Sequence, residues 1–201
     1  MRLVEGIVHV AEASEADETG APEGVPVFDD VEGLVARLGD IADEYGVTVQ
    51  AFDAGLVVDR RHLERAVELA DRERTRDENI ARDRAVEILL YAAGRRQIDD
   101  ALDLGVGLGT TPAVVLVDAP PAAGSDADSA NDEPTRHEGH SDEAAAAAAV
   151  RELLEPAETL GEYDAERVRA YFEINDAELA ATDADLPALV RERVALLVVN
   201  R

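Results

Sequence analysis

Apolar residues recur along this chain with two spacings, and each change of spacing marks a new element. Leu3, Ile7, Val8 and Val10 belong to a first strand over residues 3–10, with Gly6 marking a bend. Residues 11–24 are mostly Glu, Asp, Ala, Ser, Gly and Pro, too polar to pack, and read as a surface insertion. Val31, Leu34, Val35, Leu38 and Ile41 then repeat at helical spacing behind Asp29 or Asp30, either of which can cap the helix, and Gly46 stops it. Period two returns over residues 47–52, the mark of a half-buried strand.

Asp59 caps the next helix, which carries Leu63, Ala66, Val67 and Ala70 on one face. A further helix is predicted from Asn79 through Ala85, Ile88 and Leu89 to Gly94. The Arg95-Arg96-Gln97 corner follows, then a short helix over 98–104 closed by Gly105. The apolar run at 114–117 is of strand type. Residues 119–143 hold almost nothing apolar larger than Ala and are predicted to be disordered. Six alanines, 144–149, restart a helix that Pro156 ends, and two shorter helical pieces are predicted over 164–171 and 176–181. Leu186, Leu189, Val190, Val194, Leu197 and Val198 fit one helical face, although 195–199 fits a strand equally well. The expected fold class is α+β (mixed α/β): a small sheet packed with several helices, one domain over 1–201 carrying two acidic insertions, 11–24 and 119–143.

Composition narrows the chemistry. Hydrophobic residues make up 46% of the 201, enough for a core, but aromatic residues only 3%, so bases cannot be gripped mainly by ring stacking. The nineteen basic residues are all Arg, against 45 acids, and the net charge is −26. A surface this acidic repels itself in dilute buffer and becomes tolerable when salt screens it, which points to a salt-loving source. There are no cysteines, so disulfides, thiolate metal sites and cysteine nucleophiles are excluded together. No apolar run reaches the ~18 residues of a spanning helix, and the expectation is a cytoplasmic protein with no membrane contact.

Most motifs that suggest catalysis do not survive their context. The glycines of Gly105-Val-Gly107-Leu-Gly109 leave a helix and precede a strand, the reverse of a phosphate loop, and no Lys follows. His137 and His140, with Asp132, Glu133 and Asp142 nearby, are metal-ligating types, but they fall in the segment predicted to be disordered. Ser14, Ser125, Ser129 and Ser141 lie in the polar insertions, where a nucleophile cannot be positioned. No catalytic residue, metal ligand, cofactor or small-molecule substrate is therefore predicted. His62 alone lies in a folded helix among arginines, which leaves open a hydrolase using His62 with nearby carboxylates.

Charge distribution is the stronger signal. Between Arg60 and Arg96 ten arginines stand against eight acids, a local charge of +2 that leaves −28 for the remainder. That stretch is a candidate contact for an anionic partner or, alternatively, a ladder of helical ion pairs. If the partner is RNA, Arg forks on phosphate and amides on base edges of an unpaired strand are the expected contacts. The last apolar run is a second interaction candidate, serving the core alone or the core and a partner.

Asn79-Ile-Ala-Arg82, Glu87-Ile-Leu-Leu-Tyr91, Gly94-Arg-Arg96-Gln-Ile98 and Ala101 together resemble the KEOPS regulatory subunit of the PRPK-binding family, as do Arg61-His62-Leu63, Ala66, Gly105-Val106 and the closing Arg193-Val-Ala-Leu-Leu197. The matches cover residues 47–117 and the last fifteen; the two acidic insertions are departures. The resemblance implies a non-catalytic subunit that binds and stimulates the small kinase of the complex. It also implies recruitment of tRNA by its 3′ CCA end for N6-threonylcarbamoyladenosine modification. Kinase contacts then map to Val190, Val194, Leu197 and Val198, and RNA contacts to His62, Asn79, Ile80, Arg82, Arg95, Arg96 and Gln97. An acidic subunit that binds protein only remains the alternative.

Overall fold

Four strands take up the period-two segments of a computed structural model that describes residues 1–11, 21–121 and 136–198, with the backbone alone for 136–141. They are β1 (Arg2–Val10), β2 (Val27–Phe28), β3 (Thr48–Asp53) and β4 (Gly109–Asp118), in the order β2-β1-β4-β3. β1 runs parallel to β2 and antiparallel to β4, and β3 is antiparallel to β4. β4 is central, with Val114 and Leu116 facing one core and Val115 and Val117 the other. Burial on both faces explains why its sequence is continuously apolar instead of alternating.

Helices cover both faces. α1 (Val31–Tyr45) and α5 (Arg136–Arg151) pack with Val4, Val8, Val10, Val49 and Ala51. On the other side lie α2 (Arg60–Thr75), α3 (Arg84–Ala93), α4 (Ile98–Leu102), α6 (Ala165–Tyr171) and α8 (Leu186–Leu196), around Phe52, Leu63, Leu69 and Leu90. The short α7 (Asp176–Ala180) links α6 to α8. The fold is α+β, as expected.

Several boundaries follow caps legible in the sequence. Asp30 accepts from the Gly33 N–H and Asp59 from the His62 N–H, while Gly46 closes α1 in the left-handed region. Three expectations change. Residues 79–83 are not helical: α3 starts at Arg84, because the Asp83 carboxylate accepts from Val86 N–H and caps it there. α5 begins at Arg136, inside the second polar segment, and residues 195–196 end α8 as helix instead of forming a strand. The insertion residues 12–20 and 122–135 lie outside the described residues.

The turn after α5 is stitched to β1. Ile7 and Glu155 exchange both backbone hydrogen bonds, at 2.8 and 2.9 Å. His9 donates from Nε2 to the Glu155 carboxylate and accepts at Nδ1 from the Thr110 hydroxyl. The approach is close enough that a Cβ on Gly6 would meet the Glu155 carbonyl oxygen at 2.6 Å and the Leu154 Cβ at 2.8 Å. Gly6→Ala should destabilise the protein by roughly 1–3 kcal/mol, since backbone must move to admit the methyl. Gly39→Ala, in α1 with open space at its Cβ, should stabilise it by roughly 0.5–1 kcal/mol. Denaturant midpoints check both; equal effects would mean the close approach is not built as described.

Candidate interaction surface between the second and fourth helices

The segment from α2 to α4 is organised by two charged side chains buried where helices usually place apolar ones. Arg84, the first residue of α3, is only 9% exposed. Its guanidinium forks onto Asp71 of α2, with Nε and an Nη each donating at 2.7 Å, and also donates to Asp118 of β4 and the Thr48 hydroxyl of β3. Burial opposes its charge, but the two carboxylates outweigh burial and hold its pKa above the ordinary value. α3 is thereby anchored to its neighbour helix and to two strands.

One turn on, Glu87 is fully buried. Its carboxylate accepts from the backbone N–H groups of Ile80 and Ala81, at 3.0 and 2.6 Å. Arg74 of α2 donates to the Ala81 and Arg82 carbonyls, and the Asn79 amide donates to the Ala81 carbonyl. Asn79, Ile80 and Ala81 therefore form a fixed loop, in which the carboxylate and the guanidinium stand in for secondary-structure partners. Glu87 opens the Glu-x-Leu-Leu-Tyr run, whose Ile88, Leu89, Leu90 and Tyr91 are buried.

Gly94, at φ 62°, ends α3 in a conformation that favours glycine and turns the chain into the arginine corner. Arg95 is a clamp: it donates to Glu173 and to the Tyr171 carbonyl, and its guanidinium lies 5.6 Å from the Tyr171 ring centre. Burial pushes the Tyr171 phenol up to about 12, so its hydroxyl stays a donor, to the Asp100 carbonyl. Arg96 and Gln97 are exposed, and Gln97 caps α4 without using its side chain.

The sequence-predicted residues thus separate. Arg82, Arg96 and Gln97 are exposed and have no side-chain partner among the described residues; Asn79 and Ile80 are half-buried in the pinned loop; Arg95 is committed within the chain. His62 is sealed in the core. Its Nε2 donates to the Ala92 carbonyl at 2.8 Å and its ring meets Phe172 edge-on. Burial pushes its pKa down to about 4, with the Ala92 bond and Asp59 acting the other way. In the free chain the ring is therefore enclosed by its neighbours and presents no atom at the surface.

Of the ten arginines between 60 and 96, six are ion-paired, at Arg60, Arg65, Arg72, Arg76, Arg84 and Arg95. Arg74 is spent on carbonyls. Arg61, Arg82 and Arg96 remain, so most of the local basic excess is structural. At the other interaction candidate, Val190, Val194 and Leu197 are buried where α8 packs on α2 and α3, while Leu196 is exposed and Leu186 and Val198 are half-buried.

Several apolar side chains are exposed, among them Val35 of the periodic face of α1. Leu102 of α4 and Val35 of α1, 56% and 61% exposed, border an apolar groove of about 560 Å³ between α1 and α3 over β3. Ile98 and Leu108 are exposed as well. Among the described residues no group of three or more His, Cys, Asp or Glu is placed to hold a metal, and the side chains of His137 and His140 lie outside that description. No described helix is long and apolar enough to cross a membrane.

Glu87→Gln should lower stability by about 1–3 kcal/mol, because an amide cannot accept from both loop N–H groups without turning its own donors into the core; an unchanged denaturant midpoint would contradict the pinning. His62 supplies a pH test. Its folded pKa of about 4 lies below the ordinary 6.5, so the unfolded chain takes up the proton first and stability falls with acid across that interval. Between pH 7 and pH 4.5 the wild type should lose about 2–3 kcal/mol more than His62→Gln. Parallel pH profiles would mean the ring is not buried.

With this geometry described, comparison with known proteins adds one finding. A family model described as Kinase binding protein CGI-121 matches residues 30–197. No curated protein matches the chain.

Proposed function

Since the chain belongs to the CGI-121 family of kinase-binding proteins, we propose that it is a non-catalytic regulatory subunit of the KEOPS complex. In this role it binds and stimulates the small kinase subunit and helps recruit tRNA by its 3′ CCA end for N6-threonylcarbamoyladenosine modification. The observation that carries the reading beyond the family is the pinned loop and corner. Buried charges are spent on holding backbone, and three free polar side chains, Arg82, Arg96 and Gln97, are left at the surface. That arrangement suits recognition, in which contacts are fixed before a partner arrives.

For the kinase we assign the outer edge of α8, at Leu196 and Val198, with Val190, Val194 and Leu197 holding the helix against α2 and α3. For tRNA we assign Arg82 and Arg96 to phosphate or base stacking and Gln97 to a base edge of the unpaired end, beside Asn79 and Ile80. In a protein of net charge −26 long-range attraction to RNA is absent, so these contacts act only at short range.

Mixed with the KEOPS kinase at high salt, the chain should form a 1:1 complex by size exclusion. Leu196→Arg should weaken that complex about tenfold with no loss of fold, whereas Val194→Asp should unfold the chain. A wild type that is folded and stays free of the kinase would end the proposal. For RNA, removing the terminal CCA should weaken tRNA binding, and Arg96→Ala should lower the salt slope by about one. Binding indifferent to both changes would place the RNA contact elsewhere.

A further inference from the structure

A second group of arginines lies outside the corner just described. Arg2 at the start of β1, Arg60 at the start of α2 and Arg151 at the end of α5 border one cavity of about 320 Å³, together with Met1, Leu3 and Glu143. Three guanidinium groups face one carboxylate there, in a chain whose net charge is −26. Glu143 accepts from the Ala119 N–H and is ion-paired with the Met1 ammonium, which also meets Asp118. Arg60 is partly committed, to Glu64 and the Met1 carbonyl.

The other two are not. Among the described residues Arg151 has no ion-pair partner, and it is exposed. Arg2 has its Nε buried with no hydrogen-bond acceptor. A half-buried guanidinium is costly to leave without a counter-charge, and an anion held in the adjoining cavity supplies one. Arg84, a buried arginine, has its counter-charges within the chain.

We propose that this cavity binds a phosphate group. A carboxylate has two oxygens in one plane, which a single guanidinium fork saturates. A tetrahedral oxyanion offers oxygens in several directions and takes donors from cations contributed by three separate elements. The ligand is either a free phosphate or phosphomonoester, or one phosphodiester of an RNA strand. The site stands on the cavity and its cations, and does not depend on the kinase or on the corner at Arg96.

Isothermal titration of the full chain at high salt tests it, with inorganic phosphate, adenosine 5′-monophosphate and a short single-stranded RNA as probes. Arg151→Ala is the informative variant, because that side chain is exposed and has no ion-pair partner among the described residues. Arg37→Ala, an exposed arginine of α1 away from the cavity, removes the same charge as a control. The expected result is that Arg151→Ala weakens binding of at least one probe about tenfold, that Arg151→Lys is intermediate, and that Arg37→Ala changes nothing. Loss seen with inorganic phosphate or the mononucleotide identifies a small phosphate ligand; loss seen only with RNA identifies a phosphodiester. Binding of no probe by the wild type, or equal effects of Arg151→Ala and Arg37→Ala, would overturn the proposal.

Discussion

The interaction on which the rest of this structure depends is the buried guanidinium of Arg84. A cation taken out of water is tolerable only when anions and acceptors replace the water, and here Asp71, Asp118 and Thr48 do so from a helix and two strands. Removing any one partner leaves a buried guanidinium donor without its acceptor, so the first turn of α3 has a single position relative to α2 and the sheet edge. Glu87 then sits one turn along, in reach of the Ile80 and Ala81 N–H groups. The loop is held because the helix is held.

This arrangement changes what the arginine-rich stretch means. A run with ten arginines suggests a cationic platform, but six are paired with carboxylates and a seventh caps carbonyls. The exposed pairs contribute little stability, and less in salt. Their larger consequence is that, among the described residues, Arg82 and Arg96 at the two ends of α3 have no ion-pair partner. A surface held this way keeps its shape as ionic strength rises, because buried charge pairs are screened far less than exposed ones.

Much of the fold was legible because it is written in local chemistry. Asp30 and Asp59 before apolar helical repeats, and Gly46 and Gly94 after them, are caps whose residue types follow from backbone need. The apolar run of β4 was legible as a strand, but its place at the centre of the sheet was not, since pairing with β1 is long-range. The 79–83 segment was misread as helix because its apolar residues fit the spacing. The contrary signal was Asp83 three residues before Val86, together with a lone carboxylate, Glu87, in an apolar helix. Such a carboxylate must find donors, and the nearest free ones were the N–H groups of a loop. Burial of His62 was not legible, because a helical face is defined by sequence but its neighbour is not, whereas Val190 and Val194 lie on an apolar face that sequence alone assigns to the core, with or without a partner.

The central claim is that the recognition surface exists before any partner binds. Native-state hydrogen exchange of the free chain at high salt measures it directly, at the amides of Ile80 and Ala81, with and without tRNA. Protection in the free protein close to that of the α3 core, little changed by tRNA, is the predicted result. Exchange near the unfolded rate in the free protein, with protection gained only on binding, would contradict it.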